Sequence, residues 1–302
     1  MDFQSELIRI VGDGNVFLDE DMSKHTTFRV GGPVKCFVCP SDAEQITELI
    51  GLAKKTETKY YIIGNGSNLL VSDEGYDGMI IHIGKNMSYI AVDGENIVAE
   101  AGATLPAISM IAARNSLTGF EFASGIPGTV GGACVMNAGA YGGDMKKVLL
   151  GVLTIDQEGN PRVFNVDELM LDYRKSILLD SNYIVIKVVI RLAKGEPEII
   201  NSIMSEFATL RKEKQPLEYP SAGSTFKRPE GYFAGKLIED AGLKGKGVGG
   251  ACVSEKHAGF VINRGDASAK DVYDTIQMVI KTVKEHTGVV LEPEVRLIGN
   301  FK

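Results

Sequence analysis

A chain of 302 residues with 44% hydrophobic and 24% charged residues has room for two ordinary domains with full cores. Its net charge of −7 and lack of a basic block exclude a phosphate-tracking nucleic-acid binder, while local cations still leave room for a small anionic ligand. The start, MDFQSELIRIVGDG, carries no basic region followed by an apolar one, and no apolar run reaches the roughly 18 residues of a bilayer span; the expectation is a cytoplasmic protein without membrane insertion.

In chain order, Cys36 and Cys39 have CxxC spacing, but Val34 to Pro40 reads as a strand. Residues three apart on a strand face opposite ways, so this pair is not expected to form a disulfide, and Cys134 and Cys252 read as buried thiols. His25, His82, His257 and His286 show no ligand spacing, so no metal is expected. Ser41 with Glu44 predicts a capped helix bearing the stripe Ile46, Leu49, Ile50 and Ala53. Tyr60 to Ile63 predicts a short strand, Met79 to Ile83 and Ile97 to Ala101 two more, and Thr104 caps a helix to about Leu117. Further strands are expected near Val148 to Ile155, Arg162 to Asn165 and Tyr183 to Leu192. The texture changes at Gly195-Glu196-Pro197, where a helix through Ile199, Ile200, Ile203, Phe207 and Leu210 begins, so the domain boundary is placed near Lys194. A short helix at Ala234 to Ala241 follows. A long one is capped by Ser268 and Asp271, striped by Val272, Ile276, Val279, Ile280 and Val283, and closed by Gly288. The last strand is Val289 to Ile298, interrupted by Pro293. No repeat or low-complexity segment is present.

Ser124 to Asp144, SGIPGTVGGACVMNAGAYGGD, has no hydrophobic period, and Gly128, Gly131 and Gly132 argue against a helix. Taken alone, it fits a structural turn as well as a nest of bare backbone amides for phosphate. Upstream, the strand at Tyr60 to Ile63 runs into Gly64-Asn65-Gly66-Ser67-Asn68-Leu69. This is not the Rossmann fingerprint, because Leu69 holds the third glycine position and no helix is expected to follow. A literal GxGxxG at Gly245, Gly247 and Gly250 follows a helix and precedes an extended stretch, so it is read as a chance match. The two loops together point to one pyrophosphate cradled between them, and so to a dinucleotide held outside a Rossmann fold.

With Thr27-Phe28-Arg29-Val30-Gly31-Gly32, Tyr173-Arg174-Lys175-Ser176, Ala222-Gly223-Ser224-Thr225-Phe226-Lys227, Leu243-Lys244-Gly245 and Leu291-Glu292-Pro293-Glu294-Val295-Arg296 added, the chain resembles, nearly end to end, the UDP-N-acetylenolpyruvoylglucosamine reductases. These are the MurB flavoenzymes of the PCMH-type FAD-binding superfamily. The short interval from Tyr173-Arg174 to the strand at Tyr183 is similar to the type II members. The resemblance implies an α+β fold. Residues 1–194 would form a two-part PCMH-type FAD-binding module (about 26–192), and 195–302 an α+β substrate-binding domain whose last residues pack back on the N-terminal part. It implies noncovalent FAD, NADPH as hydride donor, and UDP-N-acetylglucosamine enolpyruvate as the substrate converted to UDP-N-acetylmuramate for peptidoglycan; no obligate protein partner is indicated. His25 and Cys134 are the nearest candidates for a covalent flavin link, and neither matches an attachment motif.

By the same resemblance, hydride passes from the flavin to C3 of the enolpyruvyl group, Arg174 and Glu294 bracket the substrate carboxylate, and Ser224 protonates C2. The cofactor set is Gly64, Asn65, Gly66, Ser67, Asn68, Leu69, Ser124, Gly125, Ile126, Pro127, Gly128, Thr129, Gly131, Gly132, Asn137, Ala138, Gly139 and Ala140. Substrate contacts fall to Tyr173, Lys214, Arg228, Lys244 and His257. Arg228 stands where other members carry asparagine, and His257 where some carry glutamine. Two rival classes are a PCMH-type flavin oxidase or dehydrogenase of another sugar or alcohol, and a non-catalytic sugar-nucleotide binding protein.

Overall fold

The computed structural model describes residues 2–301, which form two compact units, each discontinuous in sequence. The first holds the chain up to Leu18, Cys36–Asn65 and Gly78–Thr209; the second holds Asp19–Lys35, Gly66–Asp77 and the chain from Leu210 on. The change of texture near Lys194 therefore falls inside the first unit, which continues into the helix Pro197–Lys214. The two early stretches that join the second unit are too short for their own pattern to reveal which core they complete.

The first unit is built on a five-stranded antiparallel sheet in the order Pro161–Asn165, Leu149–Ile155, Ile184–Arg191, Asn96–Glu100, Ile90–Asp93. Alternation along these strands puts one set of side chains on the core face. Val188 sits opposite Ala99 and Val152, Ile190 sits opposite Ile97, and all five are fully buried. Burial of side chains the size of Val or Ile contributes about 1.5–3 kcal/mol each.

Helix α1 (Phe3–Val11), not foreseen in the sequence, is capped by Asp2, whose carboxylate accepts from Ser5 N at 2.8 Å. Helix α2 (Ala43–Lys55) begins one residue later than expected: Asp42 is the cap and accepts from Gln45 N at 2.8 Å, while Gln45 Oε1 accepts from Ser41 N at 2.8 Å. The stretch Ser41 to Gln45 offers two overlapping cap candidates, Ser41 and Asp42, and Asp42 is the one used. The stripe Ile46, Leu49, Ile50 and Ala53 is buried as patterned. Lys59–Ile63 then pairs in parallel with the strand Tyr76–His82, Tyr61 opposite Ile80. Helix α3 (Leu105–Arg114) is capped by Thr104; Leu117 lies beyond it and pairs instead with Lys194.

The glycine-rich stretch contains a helix after all, α4 (Val130–Met136), with Thr129 as cap. Gly131 is what lets it dock. A Cβ there would lie 2.8 Å from the Ala101 Cβ, so the missing side chain permits close approach to the end of the strand Asn96–Glu100. That packing gain outweighs the helix propensity cost of about 1 kcal/mol per glycine.

Helix α5 (Pro197–Lys214) passes from one unit into the other, and it is largely exposed, with only Ile200 fully buried. In the second unit α6 (Ala234–Asp240) and α7 (Ala269–Thr287) cover the short antiparallel sheet Gly247–Val248, Ala251–Val253, Val261–Asn263. The capping box of α7 is formed by Ser268 and Asp271 as patterned, Asp73 also accepts from Ala269 N and Lys270 N, and Gly288 closes the helix at φ +77°. The GxGxxG match proves to be the hairpin Gly247–Val253. Its amide nest is filled from within, since the Asp271 carboxylate accepts from Gly250 N at 3.2 Å. The last strand is shorter than expected, Arg296–Ile298, and pairs in parallel with Leu69–Val71.

Candidate active site

In the first unit the two glycine loops meet. Gly64, at the end of Lys59–Ile63, lies so close to the α4 cap that a Cβ would fall 2.2 Å from Thr129 Oγ1. Asn65 Nδ2 donates to the Pro127 carbonyl at 3.2 Å. The second loop is stitched below by Leu105 N to Gly128 O (3.0 Å), Val130 N to Ala103 O (2.8 Å) and Gly131 N to Ala101 O (2.9 Å). Asn65, Gly125, Pro127 and Gly132 form its exposed rim. Neither Gly64 to Leu69 nor Ser124 to Gly132 carries an acidic side chain, so the donor set is amides and hydroxyls. Such a set suits a diphosphate.

Past α4 the chain turns at Asn137, which is in the left-handed region (φ 44°) and 3% exposed. Ala138 to Asp144 then forms a tight hairpin, Gly139 opposite Asp144 and Ala140 opposite Gly143, with Tyr141 and Gly142 at its tip, both with positive φ. Tyr141 stacks on Phe207 of α5, with ring centroids 4.5 Å apart. The Asn137 side chain is committed inside the protein: Nδ2 donates to the Asp172 carbonyl at 3.0 Å and Oδ1 accepts from Lys146 N at 2.9 Å.

Arg174 and Tyr173 occupy the tip of a two-residue turn closed by reciprocal bonds between Asp172 and Lys175, both 3.1 Å. Arg174 itself has φ 53°, an unusual value for a residue with a long side chain, and its guanidinium lies 5.1 Å from the Tyr173 ring centroid. Beyond the turn, Ser176 Oγ donates to the Val135 carbonyl of α4 at 2.6 Å.

In the second unit the segments of Ser224 and Glu294 run side by side as an irregular two-stranded ribbon. Glu294 N donates to Thr225 O at 2.8 Å, Lys227 N donates to Glu292 O at 2.9 Å, and Phe226 bridges Pro293. Thr225 anchors the ribbon: it is fully buried, and its hydroxyl accepts from Val261 N at 3.0 Å. Ser224 beside it is exposed. Asn68, from the first glycine loop, donates through Nδ2 to the Glu294 carbonyl at 3.0 Å and accepts from Arg296 N at 3.0 Å through its backbone carbonyl.

Of the expected substrate contacts in this unit, Lys244 and His257 come together: Lys244 bonds Glu239 at 2.6 Å, and both charges act on His257. Burial, followed by Lys244, holds the His257 imidazole below its ordinary range, against the opposite pull of Glu239. Its Nδ1 accepts from Gly259 N at 3.1 Å, so the neutral ring carries its proton on Nε2. Arg228 lies over the Phe233 ring, 4.0 Å from its centroid, and donates from Nε to the Tyr232 carbonyl at 3.3 Å. Lys214 lies on the exposed last turn of α5.

Residues 34–165 match the family model described as an FAD binding domain, and residues 215–298 match that of the UDP-N-acetylenolpyruvoylglucosamine reductase C-terminal domain. The UDP-N-acetylenolpyruvoylglucosamine reductase of Agathobacter rectalis is 53% identical over 295 residues, 94% of each chain. That of Caldanaerobacter subterraneus subsp. tengcongensis is 48% identical over 294 residues, 97% of each chain. The chain belongs to this reductase family. A crystal structure of the Thermus caldophilus reductase (MurB) superposes with a TM-score of 0.80 at 36% identity, over 94% of this chain and 98% of that one. The FAD model spans both glycine loops, and the bare, carboxylate-free donor set described above fits that cofactor's diphosphate. Asp172 and Ser176 were not singled out as site residues in the sequence, although the motif Tyr173 to Ser176 ends on one of them and begins next to the other.

Proposed function

We propose that Arg174, Ser224 and Glu294 are the groups through which this chain performs the family's reduction of UDP-N-acetylglucosamine enolpyruvate to UDP-N-acetylmuramate. The chain is an FAD-dependent, NADPH-driven oxidoreductase of peptidoglycan precursor synthesis. When bound, FAD supplies the hydride carrier between NADPH and the enolpyruvyl C3. The Arg174 guanidinium offers a planar fork that matches the substrate carboxylate, with Glu294 bracketing its other side. As C3 becomes saturated, charge builds towards C2 and the carboxylate, and a fixed cation there stabilises it without reorganising. Ser224 then delivers its hydroxyl proton to C2, a carbon basic enough at that moment to accept from a weak acid. The observation that carries this reading is the ribbon that holds Ser224 beside the Glu294 segment, with Glu294 N on Thr225 O at 2.8 Å.

Tyr173, Lys214, Arg228, Lys244 and His257 are proposed to hold the nucleotide sugar, the cations meeting its diphosphate. The glycine loops at 64–69 and 124–140, apart from the Asn137 side chain, which bonds within the protein, are proposed to hold FAD noncovalently. In support of a noncovalent link, Cys134 is fully buried and its thiol is pushed far up by burial. Residues 1–194 are proposed to serve the cofactor and 195–302 the substrate, with Tyr173 and Arg174 contributed to the substrate from the first part. Among the described residues no helix is long and apolar enough to cross a membrane, and the proposed compartment is the cytoplasm, where NADPH and nucleotide sugars are available.

A visible spectrum of the purified protein tests the reading in one cuvette. Flavin bands should bleach with NADPH and return anaerobically when the enolpyruvyl nucleotide is added. Bands that return only with oxygen would leave a flavoprotein and overturn the substrate.

A further inference from the structure

Asn137 lies in the second glycine loop and matches a cofactor position by resemblance, yet both ends of its amide bond within the protein. We infer that Asn137 is a positioning residue for Arg174, tying the helix of the flavin loop to the turn that presents the guanidinium. The inference rests on the carboxylate-binding reading of Arg174 given above.

Three observations carry it. Asn137 is 3% exposed and donates through Nδ2 to the carbonyl of Asp172, the first residue of the Arg174 turn. Ser176, just after the turn and 6% exposed, donates to the Val135 carbonyl in α4, so the turn is pinned to the same short helix at both feet. Arg174 sits at φ 53°, a conformation that costs a residue with a Cβ about 1 kcal/mol or more and that persists only where the surroundings over-determine it. A two-residue turn exposed to solvent would not hold an arginine this way unaided. The two bonds, made by side chains that are themselves buried, supply the constraint, and they run to the C-terminal end of the helix whose N-terminal side forms the flavin loop. Filling the cofactor loop and aiming the arginine are thereby done by one rigid element.

The decisive variant is Asn137→Asp, which keeps the size, tolerates positive φ and keeps the acceptor for Lys146 N, but sets an oxygen against the Asp172 carbonyl. The holoprotein should keep its flavin and be reduced by NADPH within about twofold of normal. Misaiming the guanidinium should weaken UDP-N-acetylmuramate, which carries the carboxylate, by about tenfold in calorimetry. UDP-N-acetylglucosamine, which lacks it, should bind unchanged, and reoxidation by the enolpyruvyl substrate should slow by about 10–100-fold. Ser176→Ala should show the same discrimination, which covers a failure of the first variant to fold. In an Arg174→Ala background neither change should add to the loss. Should Arg174→Ala weaken the carboxylate ligand while both positioning variants bind it normally, or should they weaken the two nucleotides equally, the inference is overturned. Should Arg174→Ala itself leave carboxylate binding intact, the reading of Arg174 is what fails.

Discussion

Glu294 donates its backbone N–H to the carbonyl of Thr225 at 2.8 Å, which fixes the glutamate at one residue's remove from Ser224 across a ribbon whose centre is buried. A proton donor held on such a support should be separable from cofactor reduction. Ser224→Ala is expected to leave flavin reduction by NADPH near normal and to slow reoxidation by substrate by about 10²–10⁴-fold. Stopped-flow spectra of the two half-reactions decide it; equal loss in both would make Ser224 structural.

Asn68 bonds the Glu294 carbonyl with its side chain and Arg296 N with its backbone. Asn68→Ala removes only the first and should lower stability by about 1 kcal/mol in urea denaturation, with a larger effect on reoxidation than on reduction by NADPH. A variant slowed equally in both half-reactions would show that Asn68 serves the cofactor rather than Glu294.

Gly64 has no room for a side chain, the nearest obstacle being the Thr129 hydroxyl at 2.2 Å from a built Cβ. Gly64→Ala should push the two loops apart, cost about 1–3 kcal/mol and yield protein depleted in flavin. Full flavin content after purification would mean that the loops need not be this close.

His257 is held neutral by burial, so its folded value lies below its ordinary one. The unfolded chain therefore takes up a proton first as pH falls. Stability contributed by the neutral ring is present at pH 7, declines below about 6.5, and levels off once pH has passed below the folded value. His257→Gln should flatten this decline between pH 7.5 and 5.5 in denaturant titrations. An unchanged slope would place the pH sensitivity elsewhere.

What the sequence made legible was local. The α7 cap and stripe, the α2 stripe, the strand into Gly64 and the glycine loops could all be read from residues within a few positions of one another. The α4 helix was missed because Gly131 and Gly132 lower helix propensity, whereas Ala101, about thirty positions upstream, is what makes Gly131 the right residue. Asn137 falls in the cofactor set by family resemblance, and its side-chain bond to the Asp172 carbonyl, 35 positions on, is not legible from the motif. The GxGxxG match is read from its flanking elements as chance, and its Gly250 amide is indeed taken by the chain's own Asp271. In each case the deciding contact is made by a backbone group or a distant residue that pattern does not carry.

Among the described residues the strand Leu69–Val71 pairs with Arg296–Ile298, and Asn68 and Glu294 lie 226 positions apart. During synthesis the segments Asp19–Lys35 and Gly66–Asp77 therefore leave the ribosome long before the core they belong to exists. At ~5–20 residues per second they wait for some ten seconds or more, carrying the apolar Phe28, Val30 and Leu70. A chain that stopped before the segment supplying this core, Ala222 to Val295, would keep that exposure permanently.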